Sequence, residues 1–89
     1  MISKRTRNFK KLLSLLPEDV QAEAISNYKI WKADPYFPPL NFKPLQEPKW
    51  SVRIGREHRA IGKKTGNKIV WYWIGSHESY NKQANKRKK

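Results

Sequence analysis

Residues 69–74 read Ile-Val-Trp-Tyr-Trp-Ile, the most apolar run in the chain. β-branched and aromatic side chains fill it, and neither Pro nor Gly interrupts it before Gly75. Such a run predicts a strand buried on both faces at the centre of a small sheet. The sequence then changes character. Gly75 ends the predicted strand, Ser76 suits a helix N-cap and Glu78 suits the first helical turn. His77 and Tyr80, three residues apart, fall on one side of that turn. A rigid strand would thus deliver a histidine and a tyrosine to its carboxyl end. By spacing alone, a packed tyrosine beside a plain surface histidine is the better fit.

The rest of the chain is patterned to cover this strand. Phe9, Leu12, Leu13 and Leu16 recur at helical spacing, with Lys4, Arg5, Arg7, Lys10 and Lys11 mostly off the stripe. A basic amphipathic helix can lie on a membrane; a core-facing stripe with a solvated basic side is the simpler account. Pro17 interrupts the pattern and fits the first turn of a second helix, with Glu18 and Asp19 at its positive end. Val20, Ala24, Tyr28 and Trp31 carry that helix to about Asp34-Pro35, where the proline stops it. The pair predicts an αα-hairpin. Residues 35–48 hold five of the six prolines and read as an extended connector, in which Leu40–Lys43 could add an edge strand. Trp50, Val52 and Ile54 alternate with Ser51 and Arg53, predicting a strand. A tight connection at Arg56-Glu57, a strand over His58–Lys64 and a turn at Thr65-Gly66-Asn67 complete an antiparallel meander. Met1–Arg5 reads as an edge strand or a frayed start. The expected class is α+β: two N-terminal helices on one face of a small, mostly antiparallel sheet, with a short C-terminal helix.

Length and charge bound the function. At 89 residues the chain supports one small core. Residues 1–89 are read as a single domain ending in a basic tail over about 82–89. Lys and Arg number 20 against 7 Asp and Glu, for a formal charge of +13. That excess points to a polyanion: RNA, DNA, an acidic protein or an anionic membrane. Most of it lies in residues 49–89, whose only acids are Glu57 and Glu78. A sheet covered by helices on one face leaves the other free, and a basic free face suits a nucleic-acid backbone. Lys43, Lys49, Arg56, Lys63 and Lys82 are the candidate RNA contacts. No run has the length of a membrane span and none resembles a signal peptide, so a cytoplasmic location without membrane contact is expected. Without cysteine there is no disulfide, thiol nucleophile or Cys-based zinc site. With His58 and His77 the only histidines, neither metal nor other cofactor is expected.

The sequence offers no Gly-rich phosphate loop and no carboxylate pair placed for glycosidase work. Arg53, Arg59, His77 and Tyr80 remain, all near the carboxyl end of the predicted central strand. These residue types suit metal-free RNA cleavage. A base takes the proton from a ribose 2′-OH, arginines stabilise charge building on the phosphate, and an acid protonates the leaving 5′-oxygen. A tyrosine can stack on a base or donate its O–H.

Several segments, in order, carry a resemblance. They are Leu16-Pro17-Glu18-Asp19-Val20-Gln21 between two helices, Asn41-Phe42-Lys43, Trp50–Gly55, His58-Arg59-Ala60, and Trp73–Tyr80. Together they resemble the RelE/ParE toxin superfamily over roughly residues 3–82. The resemblance implies the toxin of a bacterial type II toxin–antitoxin pair, neutralised by an acidic antitoxin, with DNA binding only by the toxin–antitoxin complex. RelE-like members cleave mRNA in the ribosomal A site without metal; ParE-like members poison DNA gyrase. Arg59 stands where RelE-like toxins keep a phosphate-binding arginine, and Arg53 near a basic residue on the preceding strand. His77 stands where some members have arginine and others histidine. Tyr80 is a looser match, and Ser51 stands where RelE has a lysine, which speaks against proton abstraction by a lysine at that place. Three functions follow as expectations: a ribosome-dependent endoribonuclease that inhibits translation, a gyrase inhibitor on the same fold, or a plain nucleic-acid-binding module.

Overall fold

A computed structural model describes residues 1–84; of the expected basic tail, residues 85–89 lie outside that range. The sheet is five-stranded, in the order β1-β5-β4-β3-β2. Its strands are β1 (Ile2–Arg5), β2 (Lys43–Pro44), β3 (Lys49–Ile54), β4 (His58–Thr65) and β5 (Lys68–Ser76). The helices are α1 (Arg7–Ser14), α2 (Glu18–Ala33) and α3 (His77–Ala84), with a 3-10 turn at Pro38–Leu40. The class is α+β, as expected. β3, β4 and β5 form the antiparallel meander, and β2 adds antiparallel at one edge. Met1–Arg5 resolves as a strand rather than a frayed start: β1 pairs parallel with β5, Ile2 opposite Lys68 through Arg5 opposite Trp71.

Each helix starts where the sequence supplies a cap or a proline. Thr6 caps α1 by accepting from the Phe9 amide at 3.0 Å. Pro17 precedes α2, with Glu18 and Asp19 in its first turn. α1 packs on β5 and α2 on β3. The anticipated stripes turn inward: Phe9, Val20, Ala24 and Trp31 are buried, and Leu12, Leu13, Leu16 and Tyr28 are half-buried. Trp31 packs edge-on to Trp71 of β5 and to Phe42, with ring centroids 5.4 and 5.7 Å away. Between the two helices a cleft of about 340 Å³ reaches down to Trp31, Val52, Ala60 and Trp71. No helix among the described residues is long and apolar enough to cross a membrane.

Three local expectations shift. The edge strand lies at Lys43–Pro44 rather than Leu40–Lys43, because Leu40 and Phe42 turn into the core and Asn41 between them is left-handed at φ 49°. Gly75 does not end β5, which runs on to Ser76. β5 is flanked by β1 and β4, so the middle of the sheet is β4; Val70, Tyr72 and Trp73 of β5 keep partial exposure.

Candidate nucleic-acid interface

The sheet face opposite α1 and α2 is read from the strand register, since residues directly opposite in a ladder share a face. One row holds Arg53, Arg59 and Gly75; the next holds Lys43, Ser51, Ile61 and Trp73; a third holds Lys49, Lys63 and Val70. Two arginines and three lysines therefore line the face that the alternation of β3 reserves for them. Lys43, Arg53 and Lys63 are exposed and Lys49 is half-buried. Arg56, in the β3–β4 turn, and Lys82, on α3, are also exposed. His58 pairs with Ile54 on the opposite face.

This face is only partly free. α3 packs on β4 and β5 and closes over its middle. Ser76 caps α3, accepting from the Ser79 amide at 3.1 Å. The His77 amide donates to the Glu57 carbonyl, which ties the helix start to the β3–β4 turn. So anchored, α3 lays Tyr80 over Arg59: the guanidinium carbon sits 4.8 Å from the ring centroid. Arg59 is 8 % exposed, Tyr80 8 % and Ser51 0 %. Arg59 Nη2 donates to Ser51 Oγ at 3.1 Å, and the Tyr80 hydroxyl reaches the same oxygen at 3.5 Å. Arg59 Nε has no acceptor among the described residues. The expected uncovered face thus exists at Arg53 and the lysines but not at Arg59. Ile61 on this side supplies an apolar floor for α3 that the alternation of β4 had concealed.

Arg53 and His77 remain accessible. Arg53 Nε donates to the Gly55 carbonyl at 3.0 Å, and Asn27 Nδ2 holds the Arg53 carbonyl at 3.2 Å. The His77 ring runs nearly parallel to Tyr80, 21° between planes and 6.2 Å between centroids. Arg59, Tyr80 and His77 thus form a continuous series of contacts from the buried sheet to solvent. Gly55, at φ 62°, makes the turn that returns the chain into β4 and sets Arg53 beside Arg59. Gly75 leaves room for the Trp73 ring, which would lie 2.7 Å from a Cβ placed there. At the other end of the face the Lys63 ammonium lies 5.8 Å from the Tyr72 ring, and burial pushes the Tyr72 phenol above its ordinary pKa.

Four residues named from the sequence therefore meet at one corner: Arg53, Arg59, His77 and Tyr80. Lys43, Lys49, Lys63, Arg56 and Lys82 are distributed around the face and its rim. Ser51, noted only as a substitution, is the buried hydroxyl on which Arg59 and Tyr80 converge. Its signal was a small polar residue in a central strand on the face away from Trp50 and Val52. Among the described residues, no group of three or more His, Cys, Asp or Glu converges as a metal site.

Comparison with known proteins agrees with this fold. A family model described as a ParE-like toxin domain matches residues 18–82. No curated protein matches the chain in sequence. Among solved structures, a YoeB/ParE toxin from Agrobacterium tumefaciens is similar at 18 % identity and TM-score 0.66, covering 86 % of this chain and 99 % of that one. The RelBE2 toxin–antitoxin complex of Mycobacterium tuberculosis matches at 17 % identity and TM-score 0.67, over 84 % of this chain and 88 % of that one. The RelB–RelE complex of Methanococcus jannaschii matches at 13 % identity and TM-score 0.71, over 90 % and 96 %. At these identities the structures speak to the fold, and the family model speaks to membership. The chain belongs to the ParE-like toxin domain family.

Proposed function

We propose that this protein is the toxin of a type II toxin–antitoxin pair and acts as a ribosome-dependent mRNA endoribonuclease that stops translation in the cytoplasm. One observation carries the reading. An exposed arginine, Arg53, and an exposed histidine, His77, lie at the corner of a lysine-lined face, backed by Arg59 and Tyr80. The face supplies phosphate contacts and the corner supplies proton transfer. His77 takes the proton of a ribose 2′-OH. The 2′-oxygen bonds to the adjacent phosphorus, and the bond to the 5′-oxygen breaks as that oxygen takes a proton from water, leaving a 2′,3′-cyclic phosphate and a 5′-hydroxyl. Arg53 meets the charge on the non-bridging oxygens. The partners are mRNA on the ribosome and an acidic antitoxin drawn to the same positive field. DNA is bound only by the toxin–antitoxin complex. The RelBE2 structure of Mycobacterium tuberculosis and the RelB–RelE structure of Methanococcus jannaschii are of toxin–antitoxin complexes.

The match to a ParE-like domain favours a second reading, inhibition of DNA gyrase without nuclease chemistry. The two are separated by adding the purified toxin to coupled translation and to gyrase supercoiling assays. Arrested translation with new 5′-hydroxyl ends on mRNA supports the nuclease; inhibited supercoiling with intact mRNA supports the gyrase reading. Failure of an acidic antitoxin to restore either process would contradict the toxin–antitoxin assignment.

A further inference from the structure

Arg53 and Arg59 are paired across β3 and β4, yet their surroundings differ completely. Arg53 is exposed, while Arg59 is 8 % exposed and roofed by the Tyr80 ring. A phosphate approaching from solvent meets Arg53 first and meets Tyr80 where Arg59 would be. The Arg59 guanidinium is engaged from both sides, by the ring above and by the fully buried Ser51 hydroxyl. Tyr80 in turn runs alongside the His77 ring. Resting on the nuclease reading above, we infer that Arg59 is a positioning residue: it fixes Tyr80, and through Tyr80 the orientation of His77, without touching the RNA phosphate.

The arrangement has a physical rationale. A cation under an aromatic ring gains electrostatic attraction that an apolar side chain of the same length does not supply, more so when desolvated. Among the described residues, the hydrogen bond of Tyr80 to the sheet is a long one, 3.5 Å from its hydroxyl to Ser51 Oγ. α3 is short, so the side chain that joins it to the sheet decides how firmly His77 is oriented. A buried cation adds no counterion-releasing contact to RNA, whereas an exposed one does.

The experiment compares Arg59→Met with Arg53→Met. First, without RNA, the Tyr80 ring and His77 imidazole resonances are recorded by NMR. Arg59→Met is expected to shift both; unchanged resonances overturn the inference irrespective of any nuclease activity. Second, binding of an uncleavable single-stranded RNA is measured against salt. Arg53→Met is expected to lower the slope of log K against log salt by about 0.7, the value for one single-strand phosphate contact, and Arg59→Met to leave it unchanged. A drop with Arg59→Met equal to that of Arg53→Met overturns the inference. Third, in ribosome-dependent cleavage, Arg59→Met is expected to lower kcat with KM unchanged, and to cost nothing further in a Tyr80→Leu background. An independent loss in that background assigns Arg59 its own substrate contact. Should Arg59→Met fail to fold, the Arg59 Nε–Hε resonance of the wild-type protein serves. It is expected to stay in place on RNA addition while that of Arg53 moves, and a large shift at Arg59 overturns the inference. Absence of cleavage by wild-type protein removes the nuclease reading alone, because the NMR comparison stands without it.

Discussion

Arg53 and Arg59 sit opposite one another in the β3–β4 ladder, but only Arg53 reaches solvent; Tyr80 covers Arg59 at 4.8 Å. The two arginines are therefore not interchangeable. One adds its charge to the solvent-facing side of the sheet, and the other is packed beneath Tyr80.

For Arg53 the expected consequence is specific to binding. Arg53→Ala removes an exposed cation whose one side-chain hydrogen bond among the described residues is to a neighbouring carbonyl, so stability should change by no more than about 0.5 kcal/mol. RNA affinity should fall by about 1.5–3 kcal/mol, the worth of a hydrogen bond to a charged group. Melting curves and RNA titrations on the same preparation check both halves. Unaltered RNA affinity would take Arg53 out of the interface.

In the proposed mechanism His77 takes the 2′-OH proton. Its side chain is exposed, and its backbone is held by the Glu57 carbonyl whatever the side chain is. His77→Gln should fold as wild type and bind ribosomes, but cleave about 10²–10⁴-fold more slowly. Mapping 5′-hydroxyl ends on translated mRNA gives the rate. Undiminished cleavage would shift the search for the base to Tyr80 or a lysine.

The core divides the two strand tryptophans. Trp71 is buried against Trp31 and Phe42, whereas Trp73 lies half-buried on the other face over Gly75. Trp71→Ala should cost about 3–5 kcal/mol, a large part of the stability of a domain this size. Trp73→Ala should cost less. Gly75→Ala should destabilise by about 1–3 kcal/mol through its clash with Trp73, and the cost should shrink in the Trp73→Ala background. Urea denaturation of the four variants tests the set.

Tyr72 sets an alkaline limit. Burial raises its pKa in the folded chain above the unfolded reference of 10.0. The neutral phenol thus favours the folded state. That contribution is complete below the unfolded pKa and is lost as pH rises through the folded one. Tyr72→Phe should flatten the fall of stability above about pH 10. An unchanged alkaline limb in the variant would assign the fall to other groups.

Much of this was legible in the chain because the signals were periodic or local. The helical stripe of Val20, Ala24, Tyr28 and Trp31, the alternation of Trp50, Val52 and Ile54, and the Ser76 cap each need only neighbours in sequence. What escaped depended on contacts between distant segments. The offset in the β4–β5 register between Ile61 and Gly62 places Tyr72 and Trp73 in a way no alternation predicts. Leu40 and Phe42 both turn inward because Asn41 is left-handed, so an edge strand could not start there. The burial of Arg59 follows from the docking of Tyr80, and no local pattern distinguishes a roofed arginine from a free one.

The parallel pairing of β1 with β5 joins residues 2–5 to residues 68–71. Contacts so far apart in sequence form late, because the loop between them must close first. During synthesis the first strand therefore waits on the ribosome for its neighbour, exposed at Ile2 and carrying Lys4 and Arg5. The stack of Arg59 and Tyr80 needs still later residues. A nascent chain of this sequence thus has no assembled corner until residue 80 has emerged.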